Sequence, residues 1–230
     1  MKTYLLVSAV LLVACKAGDD TPTPPAMPAP DQLYYLALGD SYTIGESVRQ
    51  AESFPYQLTA ALQAKGYNFA KPTVIARTGW RSDVLLSNIT PQNVGPRADL
   101  VTLLIGVNDQ YQGRTAESFR QNFVALLDRA ETLAKGGRAD IVVVTIPDYS
   151  ATPFAAASDT VAIREALDRF DAVIIAESAA RGLPVVDITP GSKAAREDAT
   201  LVAGDGLHPS GRMYGQWVEQ LVPVVEGVLE

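Results

Sequence analysis

Five short, unbroken apolar runs decide what this chain can fold into. "LYYLALG" (33–39), "TVIAR" (73–77), "LVTLLIG" (100–106), "IVVVTIP" (141–147) and "PVVDIT" (184–189) are each too short for a helix and are rich in β-branched residues. A strand with one face in water alternates apolar and polar residues, whereas a strand buried on both faces stays apolar throughout. Between the runs lie helical patterns, over about 53–65, 82–88, 116–135, 159–181 and 209–229. In the third of these, Phe119, Phe123, Leu126, Leu127 and Ala130 recur on one helical face. Strands alternating with helices predict a parallel sheet covered by helices on both sides, a three-layer α/β/α sandwich of five strands. One domain from about residue 32 to 230 accounts for all of them, and no internal repeat is visible.

The N-terminus is different in kind. "MKTYLLVSAVLLVAC" has one basic residue, then an apolar run too short for a permanent bilayer span, then small residues ending at Cys15. Residues 1–14 read as a signal peptide. Cys15, the only cysteine of the chain, stands where a bacterial lipobox is lipidated, with an ordinary secretory signal as the alternative. A lone cysteine excludes an internal disulfide, so the core alone must hold the fold. Residues 15–31 then form an extended tether, with five prolines between 22 and 30 and no periodic apolar positions. The expected location is a bacterial cell envelope, with the domain held off a membrane, the outer one, and facing the periplasm or the exterior. A formal net charge of −7 without a dense basic patch argues against a nucleic-acid partner.

In an open parallel sheet, ligands gather outside the carboxyl ends of the strands. The first run is followed by "GDSYTIGES" with Ser41 at the turn, the second by "RTGW" with Gly79, and the third by "VND" with Asn108. The loop "DGLHP" brings Asp205 and the chain's only histidine, His208, ahead of the last helix. Singly, each is as readily a turn, a cap or a bend. Together they supply a nucleophile, a base, a carboxylate to orient the base, and oxyanion donors in the Ser41 N–H, the Gly79 N–H and the Asn108 amide. Tyr42, Trp80, Tyr111, Tyr149 and Phe154 follow strand ends and are candidates to line a substrate site, as platforms for sugar rings or as walls for an acyl chain.

These blocks resemble the GDSL-type esterases and lipases of the SGNH hydrolase superfamily: "GDSYTIG" with Ser41, "ARTGW" with Gly79, "GVND" with Asn108, and "DGLHP" with Asp205 and His208. The resemblance runs from Leu33 to near the C-terminus. It departs from the motif at Tyr42, where leucine gives the family its name. It implies a flavodoxin-like sandwich and hydrolysis of acyl esters through an acyl-serine intermediate, with no metal or cofactor. Substrates in the superfamily include lipids, acyl thioesters and acetylated sugars. Apart from "DYSATPFAAASD" (148–159), no insertion is long enough for a large lid, so the expectation is an open site for acetyl or short-chain esters, with carbohydrate as a carrier. The alternatives are a lysophospholipase or thioesterase for longer chains, a peptidase of the same serine chemistry, and a non-enzymatic glycan-binding surface lipoprotein. Oligomeric state is not legible.

Overall fold

The computed structural model describes residues 29, 31–91, 93–95 and 97–230. Cys15, the signal peptide and nearly all of the tether lie outside the described residues. Five strands, β1 (Tyr35–Asp40), β2 (Thr73–Arg77), β3 (Leu100–Leu104), β4 (Ile141–Val144) and β5 (Val185–Val186), form one parallel sheet in the order β2-β1-β3-β4-β5. Eight α-helices accompany them among the described residues: α1 (Ser41–Ile44), α2 (Phe54–Ala64), α3 (Ser82–Asn88), α4 (Val107–Tyr111), α5 (Ala116–Leu133), α6 (Thr160–Ala179), α7 (Thr189–Ser192) and α8 (Gly211–Leu229).

Handedness places the layers. The crossover through α2 moves one way along the sheet, from β1 to β2. Those through α3, α5 and α6 move the other way, so right-handed connections put them on the opposite face. Accordingly α2 packs against α8, while α3 packs against α5 and α5 against α6. Each face has its aromatic filling. Phe54 of α2 meets Tyr214 and Trp217 of α8 on one side, and Phe119 stacks on Phe123 and meets Phe170 on the other. β1, β3 and β4 are buried along their whole length, as continuous apolar runs require. The chain's direction along the sheet reverses between β1 and β3. Ligand sites of doubly wound sheets open at such a switch point, and Ser41 and Asn108 follow these two strands.

One buried carboxylate ties the far side of the sheet together. Asp171 on α6 accepts from the Ile146 N–H at 2.9 Å, and its second oxygen lies 2.8 Å from Thr189 Oγ1. That hydroxyl also lies 2.7 Å from the Ile146 carbonyl and 2.9 Å from Thr145 Oγ1, yet it has one proton to give. A protonated Asp171 resolves the conflict by donating to Thr189, which then donates to Ile146. Burial pushes the Asp171 carboxyl up to about 7, against these hydrogen bonds. A folded-state value above the unfolded one means that the native state binds the extra proton. The resulting stabilisation is full below about 3.8 and is lost as pH rises through about 7. Asp171→Asn mimics the protonated form. Its melting temperature should therefore fall less than that of wild type between pH 5 and pH 8. The slope should be reduced rather than abolished, because Asp40 is displaced in the same direction.

Candidate active site

The turn from β1 into α1 is built around a glycine that nothing else can replace. A Cβ at Gly39 would lie 2.5 Å from the Leu104 carbonyl oxygen of the neighbouring strand and would also strike the Thr43 side chain. Asp40 then caps α1, its carboxylate accepting the Tyr42 N–H at 3.0 Å. Ser41 is the first residue of this helix, so its N–H has no acceptor within the helix. Its side chain opens into a cavity of about 330 Å³ that is also lined by Tyr42, Gly79, Asn108 and His208.

Gly79 occupies the third position of a tight turn closed by the Trp80 N–H on the Arg77 carbonyl at 3.1 Å. Its φ of +80° is the value that a type II turn requires there, which makes glycine the natural occupant. The closing bond uses Trp80 and leaves the Gly79 N–H outside it. Gln112 holds the turn in place, donating from Nε2 to the Gly79 carbonyl at 3.1 Å and accepting from Arg81 at 2.6 Å.

Asn108 stands one residue into α4, and its amide donates to Asp40 Oδ2 at 3.3 Å. A primary amide has two N–H groups, so this bond orients Asn108 and leaves one free. Asp40 is fully buried, and burial lifts its carboxyl to about 7 even though Tyr42 and Asn108 both donate to it; the nearby Asp109 adds to the rise. Asp109 receives both the N–H and the hydroxyl of Ser82, at 2.8 and 2.6 Å, and so fastens α4 to the start of α3.

Asp205 and His208 form a compact unit. Asp205 Oδ1 accepts the backbone N–H groups of Leu207 (2.9 Å) and His208 (3.0 Å), and Oδ2 lies 2.6 Å from His208 Nδ1. Partial burial opposes ionisation of Asp205. The bonds from the imidazole, the two amides and the Ser47 hydroxyl outweigh it and hold the carboxyl well below the usual range. An ionised carboxylate only accepts, so Nδ1 carries a proton, and in the neutral ring the lone pair lies on Nε2. The Tyr42 ring packs against the imidazole with centroids 5.1 Å apart.

The aromatic candidates divide. Tyr42, Tyr111, Tyr149 and Phe154 all line the cavity, and Tyr111, Tyr149 and Phe154 touch one another with centroids 6.0–6.4 Å apart. The Tyr149 hydroxyl donates to Gln110, which fixes its ring. The segment 148–159 that carries Tyr149 and Phe154 is a wall, joined to the histidine loop by the Phe154 N–H on the Gly206 carbonyl. Trp80 is not among the lining residues and packs half-buried against the core. The supporting residues Asp40, Ser82, Asp109 and Gln112 were not singled out from the sequence, although Asp40 and Asp109 lie inside the motifs. Val107 and Leu207, which complete the apolar lining, were missed as well.

Comparison with known proteins bears on the fold and the family. A family model described as "GDSL-like Lipase/Acylhydrolase family" matches residues 37–216. No curated protein sequence matches the chain. Among solved structures, a lipase/acylhydrolase from Enterococcus faecalis is 20% identical with a TM-score of 0.68, covering 86% of this chain and 98% of its own. An acetyl xylan esterase from Geobacillus stearothermophilus, Axe2, is 18% identical with a TM-score of 0.65, covering 84% and 94%. TesA is 18% identical with a TM-score of 0.67, covering 85% and 99%. At such identities these likenesses show a shared fold, and the family follows from the model match over most of the folded chain. The chain belongs to the GDSL-like lipase/acylhydrolase family and is an ester-hydrolysing enzyme.

Proposed function

We propose that the protein cleaves short acyl esters through an acyl-serine intermediate, with Ser41 as nucleophile, His208 as base and Asp205 as its orienting acid. The observation that carries this reading is the convergence of Ser41, Gly79, Asn108 and His208 on one cavity, with His208 Nδ1 held on Asp205. As the Ser41 hydroxyl attacks the ester carbonyl, His208 Nε2 takes its proton. The oxyanion is met by the Ser41 and Gly79 N–H groups and the remaining Asn108 N–H. Collapse expels the alcohol, which leaves with the proton from His208. Water then repeats the sequence on the acyl-serine and regenerates the enzyme.

Short acyl groups are favoured by the size of the opening. A volume of about 330 Å³ lies at the low end of the range for small-molecule sites. In this reading the exposed rings of Tyr111 and Phe154 receive the alcohol part, with an acetylated carbohydrate the best fit to their flat faces. The Geobacillus neighbour, an acetyl xylan esterase, is compatible with it. The second reading rests on the lining itself, which is mostly apolar and would suit a longer acyl chain. A series of p-nitrophenyl esters from acetyl to decanoyl separates the two. The short-acyl reading expects kcat/KM to peak between acetyl and butyryl. A steady rise towards decanoyl, with about 0.8 kcal/mol gained per buried methylene, would assign the groove to a lipid.

The site works on an envelope surface in this proposal, with Cys15 lipidated and residues 15–31 as the tether. Support comes from the position of the sole cysteine after an apolar leader and from the prolines that follow it. Cys15→Ala should move the protein from the membrane to the soluble fraction while specific activity on soluble esters stays unchanged. Incorporation of labelled palmitate into that variant, or none into wild type, would refute the anchor.

A further inference from the structure

Among the described residues, Ser47 is the one residue other than glycine with a positive φ, at 65°. Glycine takes this left-handed conformation without steric cost, and a serine there is strained. The strain sits in the turn that follows α1, six residues after Ser41. At this turn the chain reaches across the site in two directions. Glu46 accepts from the hydroxyl of Thr78, next to Gly79. Ser47 donates from Oγ to Asp205 Oδ2 at 2.7 Å, across 158 residues of sequence. This is the same oxygen that faces His208 Nδ1. With Oδ1 already held by the Leu207 and His208 amides, Ser47 completes the set of donors around the carboxylate.

A hydrogen bond from an exposed hydroxyl adds little to folding, because water replaces it readily. The backbone at Ser47 subtracts from stability as well. A position that gives the fold little, strains its backbone and touches the acid of the site points to a role in the site. We infer that Ser47 is a positioning residue that fixes the rotamer of the Asp205 carboxylate, and through it the imidazole of His208. The inference rests on the esterase reading given above.

Ser47→Gly and Ser47→Asn test it. Glycine removes the donor and relieves the backbone, so kcat on a p-nitrophenyl ester should fall by about 3- to 10-fold, the worth of one net hydrogen bond, with KM unchanged. The melting temperature should stay level or rise. Asparagine tolerates the left-handed region and offers an amide donor, so it should recover part of the lost kcat. The chain has a single histidine, so its Nδ1–H signal can be followed by NMR without assignment. That signal should move upfield in Ser47→Gly and move back in Ser47→Asn. Wild-type kcat together with an unmoved imidazole signal in Ser47→Gly would overturn the inference. So would parallel losses of kcat and melting temperature that asparagine does not reverse, since a purely structural turn behaves that way. If wild type hydrolyses no ester while the imidazole signal still responds to Ser47→Gly, the reaction assignment fails and the positioning role stands.

Discussion

Ser41→Ala is expected to abolish ester hydrolysis, with a loss of at least about 10⁴-fold in kcat and a fold left intact. The residue lies at the first position of α1, and removing its hydroxyl breaks no hydrogen bond that holds the turn. The turn instead depends on Gly39, which has no room for a side chain beside Leu104, and on Asp40, which caps the helix. Far-UV circular dichroism and the melting temperature should therefore match wild type closely. The chemistry has no ready substitute, because among the described residues Ser41 is the only serine that lines the cavity shared with His208. Activity within tenfold of wild type would move the nucleophile elsewhere.

Asn108→Ala carries the second large effect, and it should appear in two measurements at once. Loss of an oxyanion donor costs on the order of 10²–10³ in kcat with little change in KM. The same substitution leaves Asp40 Oδ2 without its partner in a fully buried site. A stability loss of about 1–3 kcal/mol follows for an unpaired buried acceptor. Asp40 can absorb part of it by taking up a proton, since its carboxyl already titrates near 7. The melting temperature of the variant should accordingly be closer to that of wild type at pH 6 than at pH 8. A change confined to KM would place Asn108 in substrate binding instead.

The fold was legible where physics leaves a pattern in neighbouring residues. β2 spans Thr73–Arg77 and α3 spans Ser82–Asn88, as the sequence pattern has them, although β2 is an edge strand in which only Ile75 is buried. The ends were less legible. β3 stops at Leu104, ahead of Gly106 with its φ of 137°, where the chain turns into α4. β5 keeps two of its six expected residues, because Asp187 leaves the sheet to accept from Thr145 and the Thr189 N–H. The helices α1, α4 and α7 have four or five residues each, too few to show a period. Within the site, Ser41, Asn108, Asp205 and His208 stood out because their types and order belong together. Ser47 could not, since its partner is 158 residues away and nothing adjacent marks it. Trp80 was drawn in by its neighbour Gly79, although its ring packs against the core.

The short loop that carries both Asp205 and His208 has a consequence for how the enzyme tolerates motion. The two side chains, three residues apart, are bonded to each other, and the Asp205 carboxylate also accepts the loop's own amides. When the sheet breathes, acid and base travel as one piece, with the Ser47 hydroxyl as their tie to the turn after α1. The gap between that piece and Ser41, on a separate strand end, takes up most of the displacement. Heat and denaturant should therefore extinguish turnover by parting serine from histidine, while the histidine keeps its tautomer until the loop itself melts.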